Sequence, residues 1–261
     1  MSIKLVATDM DGTLLNNRKE MPAGFIPWVK AHPQIRTCIA SGRQYYTLLD
    51  DFTEIADQLI YIAENGGFVF EHGEMIYSNP MEEDVLRQFL SLAGQIPGAT
   101  PILCGARSAY MPFCPPAIEA QGHMYYHHLE FLENPASCIG QDVISKVTLY
   151  IEQQRAPQSL SFLSALPDSV HPVVSGTDWI DINNASVNKG SAIRAIQQKY
   201  GILPEECMAF GDFMNDYDLL QACGESYAME NAYPELKAVA RHLAPSNEEE
   251  GVLKILLREL P

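Results

Sequence analysis

Along the first 80 residues, short apolar runs alternate with longer mixed segments, and the runs end in polar turns. Ile3–Thr8 is almost continuously apolar and is closed by Asp9–Met10–Asp11–Gly12–Thr13. A run of this length predicts a strand buried on both faces, as in a parallel sheet. A helical stretch over Pro22–Ala31 leads to a second run, Arg36–Ala40, closed by Ser41–Gly42–Arg43. Residues 44–56 read as helix and Leu59–Ala63 as a third strand. This βαβαβ rhythm predicts a doubly wound parallel sheet. Phe68–Phe70 and Met75–Tyr77, joined through Glu71–His72–Gly73–Glu74, read as a hairpin.

The character changes from about Pro80. Met81–Ala93 has a helical pattern, whereas residues 95–116 carry five prolines and no clear period. Lys146–Ile151 and His171–Ser175 read as strands, with a helix over Ala156–Ala165 between them. Regular alternation then resumes. Asn188–Tyr200 reads as helix, Cys207–Phe210 as a short strand closed by Gly211–Asp212, and Asp216–Ala222 as helix. Ser226–Met229 and Leu243–Ala244 are further strands, and Gly251–Leu260 is a closing helix. The expected organisation is an α/β core formed by residues 1–80 and 183–261, split by an inserted α+β domain at 81–182.

Charge narrows the partners. With 17 Lys+Arg against 33 Asp+Glu, the 261-residue chain carries a formal charge of −16, which repels nucleic acid and anionic membranes. A small anionic ligand therefore needs a local cationic device. The six cysteines form no CxxC pair, which suits reduced thiols and a cytoplasmic setting. No stretch has the length and apolarity of a membrane span, nor is the N-terminus patterned as a signal peptide.

Four turns carry the candidate chemistry. Asp9 and Asp11 stand two apart at a strand end, so an extended segment points both carboxylates to one side, and Gly12 lets the chain turn sharply. Gly211–Asp212–Phe213–Met214–Asn215–Asp216 places a second acidic turn at another strand end. Ligands of open α/β sheets bind beyond such ends, and two acidic turns converging there make a hard-oxygen site suited to Mg²⁺. Ser41–Gly42–Arg43 offers a hydroxyl and backbone N–H groups as a phosphate seat. Lys189, in Asn188–Lys189–Gly190, opposes the dipole of the helix it begins, and a neighbouring phosphate explains a cation there.

These four pieces, in this order and with this long gap, resemble the haloacid dehalogenase (HAD) superfamily of phosphatases. The insertion resembles the large type-IIB cap of its Cof-type sugar-phosphatase branch. Ala40–Ser41–Gly42–Arg43–Gln44–Tyr45–Tyr46, Ala63–Glu64–Asn65–Gly66–Gly67 and Asp181–Ile182 are also similar to that branch, while Phe213 stands where relatives carry a smaller residue. The resemblance implies a Rossmann-like core and a cap that closes over the leaving group and sets selectivity. It implies Asp9 as nucleophile forming an aspartyl-phosphate, and Asp11 as general acid and base. It gives the Mg²⁺ ligands as Asp9, the backbone carbonyl of Asp11, and Asp212, with Asp216 as a supporting carboxylate. Ser41, Gly42, Lys189, Asn215 and the backbone of Met10 hold the phosphoryl oxygens.

The activity so implied is Mg²⁺-dependent hydrolysis of phosphomonoesters of small metabolites, sugar phosphates first. A phosphosugar mutase and a non-catalytic sensor of phosphorylated metabolites are the alternatives. His123, His127 and His128 read as a surface helix, and Tyr45, Tyr46, Tyr125 and Tyr126 as packing aromatics. There is no GxxxxGK[ST], dinucleotide fingerprint or GxSxG elbow. Oligomeric state is not legible.

Overall fold

A computed structural model describes residues 2–261. The chain opens with β1 (Leu5–Thr8), α1 (Phe25–Ala31), β2 (Arg36–Ala40), α2 (Tyr45–Asp51), β3 (Leu59–Ala63), β4 (Phe68–Glu71) and β5 (Glu74–Ser78). Its middle holds α3 (Glu83–Ala93), β6 (Ala99–Gly105), β7 (Ala109–Pro112), α4 (Pro116–Tyr125) and β8 (Leu129–Leu132), then β9 (Ile144–Ile151), α5 (Ala156–Ser159), β10 (Val170–Val174) and β11 (Trp179–Asn184). It closes with α6 (Lys189–Tyr200), β12 (Cys207–Gly211), α7 (Tyr217–Gln221), β13 (Glu225–Met229), α8 (Pro234–Val239), β14 (His242–Ala244) and α9 (Gly251–Glu259).

The contacts divide the chain into two compact units. The first comprises residues 2–42, 48–77 and 188–261, and the second residues 43–47 and 78–187. In the first, eight strands run in the order β14-β13-β12-β1-β2-β3-β4-β5. From β14 to β3 every neighbour is parallel, and β4 joins β3 antiparallel. Leu5, Val6 and Ala7 in β1 are fully buried, as the continuous apolar run requires of a strand covered on both faces. This is the doubly wound α/β architecture, and it sets the carboxyl ends of β12, β1 and β2 side by side.

The second unit is α+β, with a six-stranded sheet ordered β10-β11-β9-β6-β7-β8. Its strands pair antiparallel except β7 with β8. On one face Val147, Leu149, Ile180 and Ile182 join Leu86 and Phe89 of α3 in a buried core, and on the other Ile102, Cys104 and Met111 pack with Ile118 of α4. No described helix in either unit is long and apolar enough to cross a membrane.

The structure departs from expectation in particular places. The helix expected over 44–56 ends at Asp51, and a 3₁₀ turn follows over Thr53–Gln58. The bend buries the Phe52 ring between Phe25 and Tyr61, at centroid distances of 6.4 and 6.5 Å. The proline-rich stretch is ordered as β6, β7 and the start of α4. Pro112 ends its strand, and Pro116 opens α4, where a backbone N–H has no intrahelical partner. β6 exists through pairing with β9, far away in sequence, so no local pattern announces it. Strand β11, absent from the sequence reading, buries Ile180 and Ile182 on alternate positions. The helix expected over Ala156–Ala165 is the single turn α5 with a 3₁₀ turn to Leu163.

Candidate active site

Asp9 follows β1 directly, and its backbone N–H donates to Phe210 O of the neighbouring β12 at 3.1 Å. The turn after it is narrow. Gly12 adopts φ +88°, and a Cβ there would lie 2.3 Å from Asp212 Oδ2, so only glycine lets the two acidic turns approach. Thr13 Oγ1 donates to Asp212 Oδ1 at 3.0 Å.

Lys189 begins α6, whose N-cap Asn188 accepts the Ser191 N–H. Its side chain is fully buried, with Nζ 2.5 Å from Asp9 Oδ1 and 2.6 Å from Asp216 Oδ1. The second Asp216 oxygen accepts the backbone N–H groups of Asp212 (3.0 Å) and Phe213 (3.3 Å). Asp216 is thereby tied on both oxygens. Among the described residues, Asp9, Asp212 and Asp216 are the acidic group whose ligand atoms come within 4.8 Å of one another.

Burial and the Asp216 charge push the Asp9 carboxyl up to about 7 despite the Lys189 cation. Burial, again with Asp216, pushes Asp212 up to about 6, against the hydrogen bond from Thr13. For Lys189, burial opposes the charged ammonium, but the Asp216 and Asp9 carboxylates outweigh it and hold its pKa above the ordinary value. Lys189 thus pairs with two carboxylates while a third stands in the same acidic group, a deficit of positive charge of the kind that a divalent cation on oxygen ligands can offset.

The other sequence candidates lie partly in the first unit and partly in the second. The Asp11 carboxylate pairs with Lys19 Nζ at 2.8 Å, and its charge still acts on Asp212. Met10 is fully buried, and its carbonyl accepts the N–H groups of Thr13 and Leu15. Ser41 and Gly42 follow β2, with Ser41 buried and its N–H donating to Ile62 O at 2.9 Å. Asn215 donates through Nδ2 to Asn65 Oδ1 at 3.0 Å. Phe213 is exposed and meets Tyr233 edge-on, with ring centroids 4.7 Å apart. His123 and His128 belong to the second unit, where His123 packs on Phe131 and His128 Nδ1 contacts Arg107 O at 2.7 Å. Tyr45 lies edge-on to Tyr46, and Tyr125 to Trp179.

Sequence reading assigned no role to Lys19, Thr13 or Asn65. Thr13 lies within the first acidic motif, and Asn65–Gly66 is a dipeptide that favours left-handed turns. Nothing local marks Lys19.

An α/β core with acidic turns meeting at adjoining strand ends, beside a buried lysine, is an arrangement suited to phosphoryl-transfer chemistry. The chain belongs to the haloacid dehalogenase-like hydrolase family, whose model matches residues 6–256, and is a phosphatase of that family. It is similar to the 5-amino-6-(5-phospho-D-ribitylamino)uracil phosphatase YbjI of Escherichia coli (strain K12), at 36% identity over 100% of this chain and 99% of that one. The enzyme of the same description in Bacillus subtilis (strain 168), YitU, is 25% identical over 97% and 96% of the two chains. Among solved structures, SMU.1108c of Streptococcus mutans UA159 superposes with a TM-score of 0.82, at 27% identity over 99% of each chain.

Proposed function

We propose that the protein is a Mg²⁺-dependent phosphomonoester hydrolase of small phosphorylated metabolites, working through an aspartyl-phosphate on Asp9. The observation that carries this reading is the buried Lys189 held between Asp9 and Asp216 beside Asp212. A lysine in that position neutralises part of the charge that a carboxylate and a phosphate dianion bring together.

Asp9 attacks phosphorus, and the bond to the leaving oxygen breaks. Asp11 gives that oxygen a proton, then takes one from the water that opens the acyl-phosphate, so Asp9 is regenerated and inorganic phosphate is released. Ser41, Gly42, Lys189, Asn215 and the backbone of Met10 hold the phosphoryl oxygens. Asp9, the Asp11 carbonyl and Asp212 would hold Mg²⁺, and Asp216, occupied on both oxygens, serves as the support that fixes Lys189 and the Asp212 turn. The cation, when bound, supplies charge neutralisation for the approach of Asp9 to phosphate.

We assign residues 1–80 and 183–261 to the catalytic core and 81–182 to a cap that sets selectivity. The favoured substrates carry a phosphate on a sugar or sugar-alcohol chain, a class that includes the phosphoribityl compound named for the two relatives. A cytoplasmic setting accords with six cysteines that form no disulfide. The test is a phosphate-release screen over sugar, sugar-alcohol, nucleotide and cofactor phosphates, with Mg²⁺ and then with EDTA. Release confined to the Mg²⁺ arm and greatest on sugar-type phosphates is the expected result. Undiminished release in EDTA overturns the metal assignment, and net phosphoryl return to a sugar favours a mutase.

A further inference from the structure

Three successive residues at the end of β3 have positive φ: Glu64 (+50°), Asn65 (+56°) and Gly66 (+104°). Two of these are not glycine, and the left-handed region is costly for residues with a Cβ. Their surroundings show what the strained turn joins. Asn65 N–H donates to Ser41 O at 2.9 Å. A Cβ on Gly42 would stand 2.9 Å from Asn65 Nδ2. Asn65 Oδ1 accepts from Asn215 at 3.0 Å. A Cβ on Gly66 would stand 2.3 Å from Asn188 O, the residue before Lys189.

One tripeptide therefore touches all three segments that carry Ser41–Gly42, Asn215 and Lys189. If the turn had only a backbone to shape, glycine at position 65 would shape it without strain. What glycine cannot supply is the carboxamide. Asn is also the side-chain-bearing residue that best tolerates the left-handed region, so the position combines a turn requirement with a polar one.

We propose that Asn65 is a positioning residue of the phosphate seat. Its Oδ1 fixes the rotamer of Asn215 and orients that amide, while its Nδ2 packs against the backbone at Gly42. Asn65 acts through Asn215 and Gly42 and makes no contact with the reacting atoms. The inference rests on the reading of Ser41, Gly42, Lys189 and Asn215 as phosphate contacts.

The test uses the full chain and inorganic phosphate as a competitive inhibitor. Asn65→Gly relieves the strain and removes the carboxamide, so a structural role predicts unchanged activity and equal or higher Tm. The positioning role predicts an inhibition constant for phosphate raised about tenfold, the size of one lost hydrogen bond to a charged ligand. It predicts an equal fall in kcat/KM for p-nitrophenyl phosphate and a sugar phosphate, with Tm unchanged or raised. In an Asn215→Ala background the same substitution should have little further effect. Asn65→Asp keeps the acceptor for Asn215 and tests the stability of the turn, with Tm expected within a few degrees of the parent. An unchanged phosphate constant in Asn65→Gly, or effects that simply multiply with Asn215→Ala, overturns the positioning role alone. A parent protein that neither releases nor binds phosphate overturns the phosphate reading and the inference with it.

Discussion

The ammonium of Lys189 lies 2.5 Å from Oδ1 of Asp9, although 180 residues separate them in the chain. Both groups are buried, and Asp216 completes the arrangement at 2.6 Å. Ion pairs inside a protein are held at the expense of solvation, and here two buried carboxylates depend on the one ammonium between them.

Substituting Lys189 by Met leaves Asp9 and Asp216 buried without their cation. Stability should fall by about 3–5 kcal/mol, measured by denaturant unfolding, and phosphate release should be abolished. The loss should be smaller near pH 5 than near pH 8, because a protonated Asp9 needs no counter-ion. An equal loss at both pH values would show that Asp9 is not the group at stake.

Asp9→Asn acts in the opposite sense on stability. It removes one of three crowded carboxylates, so Tm in EDTA should hold or rise, while phosphate release drops on the order of a thousandfold or more. Near-normal release would remove Asp9 as nucleophile.

The metal-free protein has a defined pH response. Burial and the Asp216 charge push the Asp9 and Asp212 carboxyls up to about 7 and about 6, above the ordinary carboxylate value of 3.8. Between those limits the folded state holds protons that the unfolded state has lost, so stability is greatest below about pH 4 for these groups and declines as pH rises toward 7. In EDTA, Tm should fall by several degrees over that window, and less steeply in Asp9→Asn. Mg²⁺ should restore Tm near pH 7.5 and change it little near pH 5, where the carboxyls are protonated. A flat response to Mg²⁺ at both pH values would dismiss the cation site.

Gly12→Ala puts a methyl group 2.3 Å from Asp212 Oδ2 at a residue with φ +88°. The strain should cost about 1–3 kcal/mol. Since Asp212 must shift, the Mg²⁺ concentration for half-maximal activity should rise about tenfold. A change in Tm alone, with the Mg²⁺ requirement intact, would mean that Asp212 is not a ligand.

Much of the core was legible because it is local. β2 and β3 run over the residues that the apolar pattern marks, and β1 and β12 differ from it only at their ends. Buried parallel strands need continuous apolar runs, and such runs survive in the sequence as a readable signal. The second unit was less legible. Pro101 and Pro112 suggest irregular chain, yet both lie in strands, Pro101 opposite Leu149 of β9 and Pro112 opposite Leu132 of β8. The interaction between Asn65 and Asn215 spans 150 residues and has no local signature beyond an Asn-Gly pair.

Neighbouring residues are enough to set the strand-ending turns and the residue types placed there: Asp9 and Asp11 after one strand, Asp212 after another, Lys189 at a helix start. Spacing along an extended chain and the needs of a turn are short-range matters, so they are written in adjacent residues. Which of those groups meet is a matter of long-range packing. The order β12-β1-β2 brings the Asp9 and Asp212 turns together and seats Lys189 against Asp9 and Asp216, while the Asp11 carboxylate turns to Lys19. Burial then sets their charges, because the cost of removing a carboxylate from water depends on what surrounds it in space. The net charge of −16 therefore says little about the site. There, one buried ammonium stands among three carboxylates, a local balance that the whole-chain count does not reveal.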